Sequence, residues 1–242
     1  MKTYGLIGEN LSHSFSQQYF QKKFSKERIK DSQYLNFEIN DISCLRELIQ
    51  KKNIKGLNIT IPFKEKVIPI LDELTEDAKE IGAVNTIQIN GNKLIGHNTD
   101  IFGFEESITP LLNGRNNAII LGNGGASKAI AFVFYKRDIN FSIFSRNLML
   151  KFADITEEVI QKNDIIINTT PLGMYPNADT FADLPYNAIN TKHLLYDLVY
   201  NPEESQFLKK GMAKGAQIKN GKQMLYLQAE KSWKIWNLSI NL

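Results

Sequence analysis

A glycine-rich segment in the middle of the chain constrains the fold more than any other feature. Residues Gly122–Ser127 read GNGGAS and separate an apolar run, Asn117–Leu121, from an apolar stretch of helical character, Lys128–Tyr135. A second strand-like run, Asn140–Phe144, comes next. A strand, a glycine turn, a helix and a second strand in this order are typical of a mononucleotide-binding fold. The segment therefore predicts a Rossmann-like domain.

The residues of this turn also suit a bound dinucleotide. Gly122 permits the tight turn, Gly124 lets the main chain approach a pyrophosphate, and the amides at the helix start face the phosphates. The generic fingerprint has a third glycine where Ser127 stands, and a small residue there still allows close packing of helix on strand. A glycine turn by itself is structural about half the time, but the flanking strands and helix favour a dinucleotide site. The predicted cofactor contacts in the turn are Gly122, Asn123, Gly124, Gly125, Ala126 and Ser127.

The end of the second strand discriminates between NAD and NADP. NAD-binding domains place an acidic residue there, about 20 residues past the turn, to bind the ribose 2′-hydroxyl. In this chain Ser145, Arg146 and Asn147 follow the strand, and none of them is acidic. A carboxylate would repel a 2′-phosphate, whereas a guanidinium binds it bidentately. NADP is therefore the predicted cofactor, with Ser145 and Arg146 as contacts; the alternative is that Arg146 is a solvated surface arginine.

Composition argues against several classes of protein. The chain has 242 residues, 43% of them hydrophobic, which is enough for one large or two modest domains. The net charge of +3 is spread along the sequence, which argues against a nucleic-acid partner or a polybasic membrane surface. Three histidines without metal-like spacing argue against a metal site. The single cysteine, Cys44, allows no intrachain disulfide and is expected to be buried as a small apolar residue in a helix.

Short apolar runs alternate with amphipathic stretches, which predicts the α/β class and two domains. Further strands are expected at Thr3–Ile7, Tyr34–Ile39, Gly56–Ile61, Val84–Ile89, Lys93–Ile95, Ile165–Asn168, Leu194–Asp197 and Gln217–Lys219. Further helices are expected at Ser16–Phe24, Ile42–Gln50, from Pro62, Phe104–Leu111, Ile155–Gln161 and Gly221–Trp236. We expect residues 1–100 with 221–242 to form one domain and residues 101–220 the other, so that the C-terminal helix returns to the first domain.

Three polar clusters follow predicted strands of the first domain. They are Ser12-His13-Ser14, the segment Asn58–Lys64 (NITIPFK), and Gly96–Asp100 (GHNTD), which is preceded by Gly82–Thr86 (GAVNT). Open α/β sheets bind ligands beyond the carboxyl ends of their strands, so the clusters predict a ligand crevice. The alternative is a surface lysine in a first helical turn and serines that cap a turn or a helix.

These clusters, together with motifs further along, resemble the shikimate dehydrogenase family. The motifs are the Ser-x-Ser pair, NITIPFK, GAVNT, GHNTD, GNGGAS, INTTPLGM, DLVYNP and GKQMLYLQA, in this order along nearly the whole chain. The resemblance implies an NADP-dependent oxidoreductase that reduces 3-dehydroshikimate to shikimate in aromatic amino-acid biosynthesis. It also implies that the first domain binds this small-molecule substrate and that the Rossmann-like domain binds NADP. No signal peptide or membrane-spanning stretch is recognisable, so we expect a cytoplasmic monomer or homodimer.

The resemblance assigns roles to individual residues. Lys64 and Asp100 match the family's catalytic pair, and Tyr200 matches a tyrosine near the substrate. The residues that match binders of the substrate hydroxyls and carboxylate are Ser12, Ser14, Asn58, Thr60, Asn85 and Gln228. The further implied cofactor contacts are Thr169, Leu198, Gly221 and Met224, the last two beside the nicotinamide.

The reduction of a ketone explains why a lysine and a carboxylate are needed together. The cofactor supplies a hydride, and a positioned side chain supplies a proton. Lys64 would give this proton, while Asp100 would orient the lysine and hold its charge near the developing alkoxide. We expect the two side chains to lie within hydrogen-bond reach when the domains close.

The chain departs from the family pattern after Asn147. The stretch up to Asn163 is short and holds one brief helical pattern, where the family usually has a full helix and a strand. We therefore expect an abbreviated, more open adenine side of the cofactor site.

Three alternatives stay open. A quinate or quinate/shikimate dehydrogenase that uses NAD often has a threonine in the serine pair and an acid after the second strand. A non-catalytic dinucleotide-binding sensor would not need Lys64 and Asp100. A methylenetetrahydrofolate dehydrogenase would leave Ser12, Ser14 and Gln228 without a role.

Overall fold

The computed structural model describes residues 1–11 and 14–238, and the chain divides into two compact units. The first unit contains residues 1–99 and the chain from Ala229 onward, and the second runs from Asp100 to Gln228. The predicted domain boundaries lie after residue 100 and before residue 221. The structure differs at both: Asp100 and residues 221–228 belong to the second unit, not to the first. The close fit of Gly103 against Met224 and Gln228 explains this, because a Cβ on Gly103 would meet the Met224 carbonyl at 2.6 Å.

The first unit is built on a mixed six-stranded sheet. Its strands are β1 (Lys2–Gly8), β2 (Ser32–Glu38), β3 (Ile54–Ile59), β4 (Glu73–Leu74), β5 (Thr86–Asn90) and β6 (Lys93–His97), in the order β2-β1-β3-β5-β6-β4. Strands β2, β1 and β3 are parallel, and β5 runs antiparallel to both β3 and β6. The helices are α1 (Phe15–Lys26), α2 (Leu45–Lys52), α3 (Phe63–Lys66) and α4 (Glu76–Ile81).

The second unit is built on a five-stranded parallel sheet. Its strands are β7 (Asn117–Leu121), β8 (Asn140–Phe144), β9 (Ile165–Asn168), β10 (Leu194–Asp197) and β11 (Gln217–Asn220), in the order β11-β10-β9-β7-β8. The helices are α5 (Asp100–Ile108), α6 (Gly125–Lys136), α7 (Glu157–Gln161), α8 (Gln206–Met212) and α9 (Lys222–Trp236), the last of which continues into the first unit. The strand order reverses between β7 and β9, and a doubly wound sheet binds its ligand at such a switch point.

The predicted α/β class, the Rossmann-like sheet and the predicted strands are confirmed, with strand ends shifted by no more than two residues. Strand β4 and helices α4 and α8 are not among the predicted elements. The prediction that Cys44 is buried is wrong, because this cysteine is exposed. Cys44 ends a 3₁₀ turn whose first residue, Ile42, is buried, and the turn leaves the thiol outside, bonded to the carbonyl of Asp41 at 3.1 Å.

The described residues contain no helix long and apolar enough to cross a membrane and no group of three metal-ligating side chains.

Aromatic packing fixes the end of α9 on the first sheet, which confirms the predicted return of the C-terminal helix. Trp236 stacks on Tyr4 with the ring centroids 5.1 Å apart, and its Nε1 donates to the carbonyl of Ile87 at 3.0 Å. Gly56 in β3 gives the indole its place, because a Cβ there would run into the ring. The tryptophan is therefore a core residue of the first unit.

Strand β8 forms one edge of the second sheet. Between Phe144 and Ile165 the chain forms only a 3₁₀ turn, Phe152–Asp154, and the five-residue helix α7. The expected shortening of this region is thus confirmed, and no strand covers the outer edge of β8 in the part of the chain that the structure describes.

Candidate active site

The predicted substrate residues of the first unit lie where its strands end. Asn58 lies in β3, and Thr60 follows that strand and donates its amide to the carbonyl of Ile7 near the end of β1 (2.9 Å). Lys64 lies in α3, and its carbonyl accepts from the amide of Val84 (2.8 Å). These main-chain bonds tie the NITIPFK segment to β1 on one side and to the GAVNT segment on the other.

Both the oxygen and the nitrogen of the Asn58 side-chain amide are hydrogen-bonded. It is 4% exposed, and its Oδ1 accepts from the hydroxyl of Tyr34 at 2.9 Å. Its Nδ2 donates to the hydroxyl of Ser232 on α9 (2.9 Å) and to the hydroxyl of Thr86 (3.1 Å). The amide therefore has a single orientation, fixed in part by the returning C-terminal helix.

Asn85 is fixed through its oxygen. Its Oδ1 accepts from the main-chain amide of Thr99 (2.7 Å) and from the Thr99 hydroxyl (3.1 Å). The bonds also set the main chain directly before Asp100. Because Oδ1 is engaged, Nδ2 is the group that Asn85 can turn toward a ligand.

Ser14 is the described member of the serine pair, since Ser12 lies outside the described residues. It occupies the N-cap position of α1, but its side chain makes no capping hydrogen bond. Its Oγ is buried and has no hydrogen-bond partner among the described residues. A helix cap therefore does not explain this serine, and a buried hydroxyl without a partner suits a bound ligand.

The remaining predicted substrate and catalytic residues lie in the second unit. Asp100 is the first residue of α5 and is 6% exposed. Gln228 on α9 donates its Nε2 to the carbonyl of Leu225 (3.1 Å) and is 9% exposed. Tyr200 is half-buried in the loop after β10. Lys64 belongs to the first unit, so its pairing with Asp100 stays a prediction.

The glycine turn has the geometry that the sequence predicts. Gly122 has a φ of +111°, and a Cβ there would meet the hydroxyl of Thr169 at 2.5 Å. Gly124 is the N-cap of α6. Ser127 is 1% exposed and donates its hydroxyl to the carbonyl of Gly122 at 2.7 Å. The serine in place of the third glycine thus packs tightly and also bonds the turn.

The turn fits a pyrophosphate. Gly124 has a φ of −80°, which any residue adopts, and a Cβ on it would meet no atom within 4 Å. The fold itself therefore does not require glycine at this position. A glycine there leaves the main chain open beside the amides at the start of a 12-residue helix, where an anion binds well.

The loop after β8 presents Arg146 to solvent. Ser145 is 5% exposed, its amide donates to the carbonyl of Leu150 (3.0 Å), and its Oγ accepts from the amide of Asn147 (3.4 Å). Arg146 is exposed between these two anchored residues. Ser145 therefore shapes the loop that carries the arginine.

The ends of four strands of the second unit, β7, β9, β10 and β11, are joined by hydrogen bonds. The amide of Leu198 donates to the carbonyl of Asn168 (2.9 Å), and the amide of Gly221 donates to the carbonyl of Val199 (3.2 Å). A Cβ on Gly221 would run into the carbonyl of Leu198, which explains the glycine. Thr169 donates its hydroxyl to the carbonyl of Leu121 at the end of β7 (2.6 Å). The predicted contacts Thr169, Leu198 and Gly221 therefore share one edge of the sheet with the glycine turn; Met224, one turn into α9, is buried.

Asp197, the last residue of β10, is fully buried at this edge. Its Oδ1 accepts from Asn168 Nδ2 (2.9 Å) and from the amide of Val199 (3.0 Å), and Ser205 donates its hydroxyl to Oδ2. Burial raises the pKa of Asp197 to about 6, although the three hydrogen bonds oppose this rise.

Comparison with known proteins decides the family. A family model described as the shikimate dehydrogenase substrate binding domain matches residues 6–87. The chain is 41% identical to the shikimate dehydrogenase (NADP(+)) of Clostridium beijerinckii, over 98% of this chain and 92% of that protein. The chain belongs to the shikimate dehydrogenase family. The crystal structure of shikimate dehydrogenase 1 from Peptoclostridium difficile is 39% identical, with a TM-score of 0.86 over 100% of this chain and 94% of that one. A quinate dehydrogenase from Corynebacterium glutamicum in complex with NAD is also similar, at 25% identity and a TM-score of 0.87, over 98% of this chain and 93% of that one.

Sequence reasoning missed the buried groups behind the predicted contacts. Asp197 and Asn168 lie in the quoted motifs DLVYNP and INTTPLGM, but no role was expected for either. Ser232 lies 174 residues from Asn58, and no local pattern joins them. An acidic residue that ends an apolar strand is the one signal that could have drawn attention to Asp197.

The raised pKa of Asp197 predicts that this residue lowers the stability of the folded protein by an amount that depends on pH. With a folded pKa near 6 against about 3.9 unfolded, the folded state binds more protons between these values, so stability falls as pH rises through them. Asp197→Asn keeps the shape without the charge. Between about pH 4.5 and about pH 8, the free energy of unfolding of the variant should rise by about 2 kcal/mol relative to that of the unmutated protein. Hydrogen exchange of the buried β9 and β10 amides measures this difference at each pH.

Tyr196→Phe is the matched control for this prediction. The substitution removes a neighbouring buried hydroxyl that bonds to Ser107 at 2.7 Å, and burial raises the pKa of Tyr196 further above neutrality. Its effect on stability should be the same at both pH values. A pH-independent effect of Asp197→Asn would contradict the assigned pKa.

Proposed function

We propose that this protein catalyses the reversible, NADP-dependent reduction of 3-dehydroshikimate to shikimate in aromatic amino-acid biosynthesis. The observation that carries the proposal is the likeness to a shikimate dehydrogenase (NADP(+)) over 98% of the chain. The glycine turn, the non-acidic end of β8 and the polar strand ends of the first unit support it. The first unit would bind the substrate and the second would bind NADP.

The cofactor supplies the hydride when it is bound. We propose that Gly122, Gly124 and the amides at the start of α6 hold its pyrophosphate, and that Arg146 holds its 2′-phosphate. Thr169 and Leu198 stand at strand ends on the other side of the switch point, where the second nucleotide would lie.

Lys64 is the proposed proton donor. Its ammonium group would protonate the carbonyl oxygen of the substrate during reduction and take the proton back in the opposite direction. Asp100 would orient the ammonium group and keep its positive charge beside the developing alkoxide. General acid–base catalysis of this kind needs both groups at the same substrate oxygen.

The substrate hydroxyls and carboxylate would be bound by neutral groups. Ser14 offers a buried hydroxyl, and Asn85 offers the Nδ2 half of an amide whose oxygen is already fixed. Asn58, Thr60, Ser12, Tyr200 and Gln228 complete the proposed set. We further propose that the enzyme acts in the cytoplasm, as a monomer or a homodimer.

A nicotinamide absorbance assay tests the proposed function. Shikimate and quinate should each be offered with NADP and with NAD, and turnover should be greatest for shikimate with NADP. The serine pair and the absence of an acid after β8 are the reasons. Equal or greater turnover of quinate with NAD would favour the quinate dehydrogenase alternative. Tight binding of NADP without turnover of either substrate would favour a sensor.

Arg146→Ala tests the choice of cofactor. The substitution should weaken NADPH binding about tenfold or more, because a charge-assisted contact to phosphate is worth about 1.5–3 kcal/mol. NADH binding should change little. Lys151→Ala, which removes another exposed positive charge from the same loop, is the control and should affect the binding of both cofactors weakly. Equal losses of NADPH and NADH affinity in Arg146→Ala would remove the arginine from the phosphate site.

Lys64→Ala tests the chemistry. A lost acid–base group should lower kcat about 10²–10⁴-fold, while KM for shikimate changes much less because the serines and amides remain. Asp100→Asn should also lower kcat strongly, and the double variant should be little worse than either alone, since the two act as a unit. Lys66→Ala, in the same helix, is the control. Near-normal kcat in Lys64→Ala would refute the proposed mechanism.

A further inference from the structure

We propose that Asp197 is a positioning residue for the nicotinamide half of the cofactor, and that it acts through the loops that follow β9 and β10. The inference rests on the proposed NADP-dependent function. It gives a role to a fully buried carboxylate that the proposed mechanism does not use.

The sheet topology decides which half of the cofactor lies beside this carboxylate. A dinucleotide lies across the switch point of a doubly wound sheet, here between β7 and β9. Arg146 follows β8, on one side of that point, and would hold the phosphate of the adenosine half. The nicotinamide half would then lie over the ends of β9 and β10, where Asn168 and Asp197 face each other in register.

Asp197 bonds to both of the loops at these strand ends. Its Oδ1 accepts from the amide of Val199, which fixes the chain around Leu198. The same oxygen accepts from Asn168 Nδ2, and the Oδ1 of Asn168 in turn accepts from the amide (3.1 Å) and the hydroxyl (2.6 Å) of Thr170. One oxygen therefore sets the loop that carries Thr169 and the loop that carries Leu198.

The loops set by Asp197 are tightly fitted to other cofactor elements. The hydroxyl of Thr169 lies 2.5 Å from where a Cβ on Gly122 would be, and the carbonyl oxygen of Leu198 lies still closer to where a Cβ on Gly221 would be. Small movements of either loop would therefore change the shape of the cofactor site. Since Asp197 itself has no exposed surface, its effect on a ligand must pass through these loops.

Asp197→Ala tests the proposal by comparing two ligands. Fluorescence or calorimetric titration with NADPH reports both halves of the cofactor, and titration with 2′,5′-ADP reports the adenosine half alone. We expect NADPH affinity to fall about tenfold or more and 2′,5′-ADP affinity to stay within about twofold. A structural defect without a positioning role would weaken both ligands alike.

Two control variants isolate the carboxylate. Asp197→Asn keeps an oxygen for Asn168 and Val199 and can donate its Nδ2 to Ser205, so it should stay within about threefold of the unmutated affinity for NADPH. Tyr196→Phe removes a hydrogen bond from the adjacent residue, on the side of Ser107, and should leave both affinities unchanged.

The proposal is overturned if Asp197→Ala binds NADPH like the unmutated protein, or if it loses both ligands to the same extent. Should that variant fail to fold, Ser205→Ala provides the comparison, because, of the bonds to the carboxylate, it removes only the one to Oδ2; it also removes the cap that Ser205 gives the amide of Leu208 at the start of α8. Ser205→Ala should then lower the affinity for NADPH about threefold and leave the affinity for 2′,5′-ADP unchanged. Equal effects on both affinities would refute the proposal. Failure of the unmutated protein to bind NADPH would instead contradict the proposed function.

Discussion

Strands that begin or end inside the protein leave main-chain amides and carbonyls at one edge of each sheet, and the organisation of both units depends on how these groups find partners there. An unpaired buried polar group costs about 1–3 kcal/mol, so a strand cannot simply stop inside the protein. In the first unit the side chains of Asn58 and Asn85 complete the strand ends, and in the second unit Asn168 and Asp197 do so. Under the proposed function, the side chains that complete each sheet would also lie beneath the bound ligands.

The structural features that can be predicted from the sequence are those set by residues close together along the chain. All strands except β4, together with the glycine turn, could be predicted because apolar runs and glycines are local signals, and the short region after β8 was visible from its length. The helices α4 and α8 were missed although capping residues, Thr75 and Ser205, precede them, because each helix is too short for a clear apolar period. The bond of Ser232 to Asn58 could not be predicted, since only the folded sheet and the returning helix bring these residues together. For the same reason the sequence names Lys64 and Asp100 as a pair from resemblance alone, and kinetics must test the pairing.

The serine in the glycine turn shows which part of a sequence fingerprint is physically required. Gly122 needs its positive φ, and the crowding by Thr169 excludes a side chain there. At Ser127 the requirement is only that the residue be small, and its hydroxyl adds a bond to the carbonyl of Gly122. A carbonyl at a tight turn otherwise depends on solvent or ligand for a partner. The substitution therefore keeps the close approach of helix and strand and stiffens the turn at the same time.

Under the proposed function, the two halves of the cofactor would be bound through different kinds of interaction. The 2′-phosphate would be bound by an exposed arginine on a loop at the open edge of β8, where salt screens the charge and a single substitution can change the preference. The nicotinamide half would lie on loops set by a buried carboxylate, whose bonds salt screens much less. That carboxylate lowers stability at neutral pH, since its pKa is raised, and the cost is consistent with a group retained to define geometry. Choice of cofactor would thus be adjustable at the surface, while the orientation needed for hydride transfer is set in the interior.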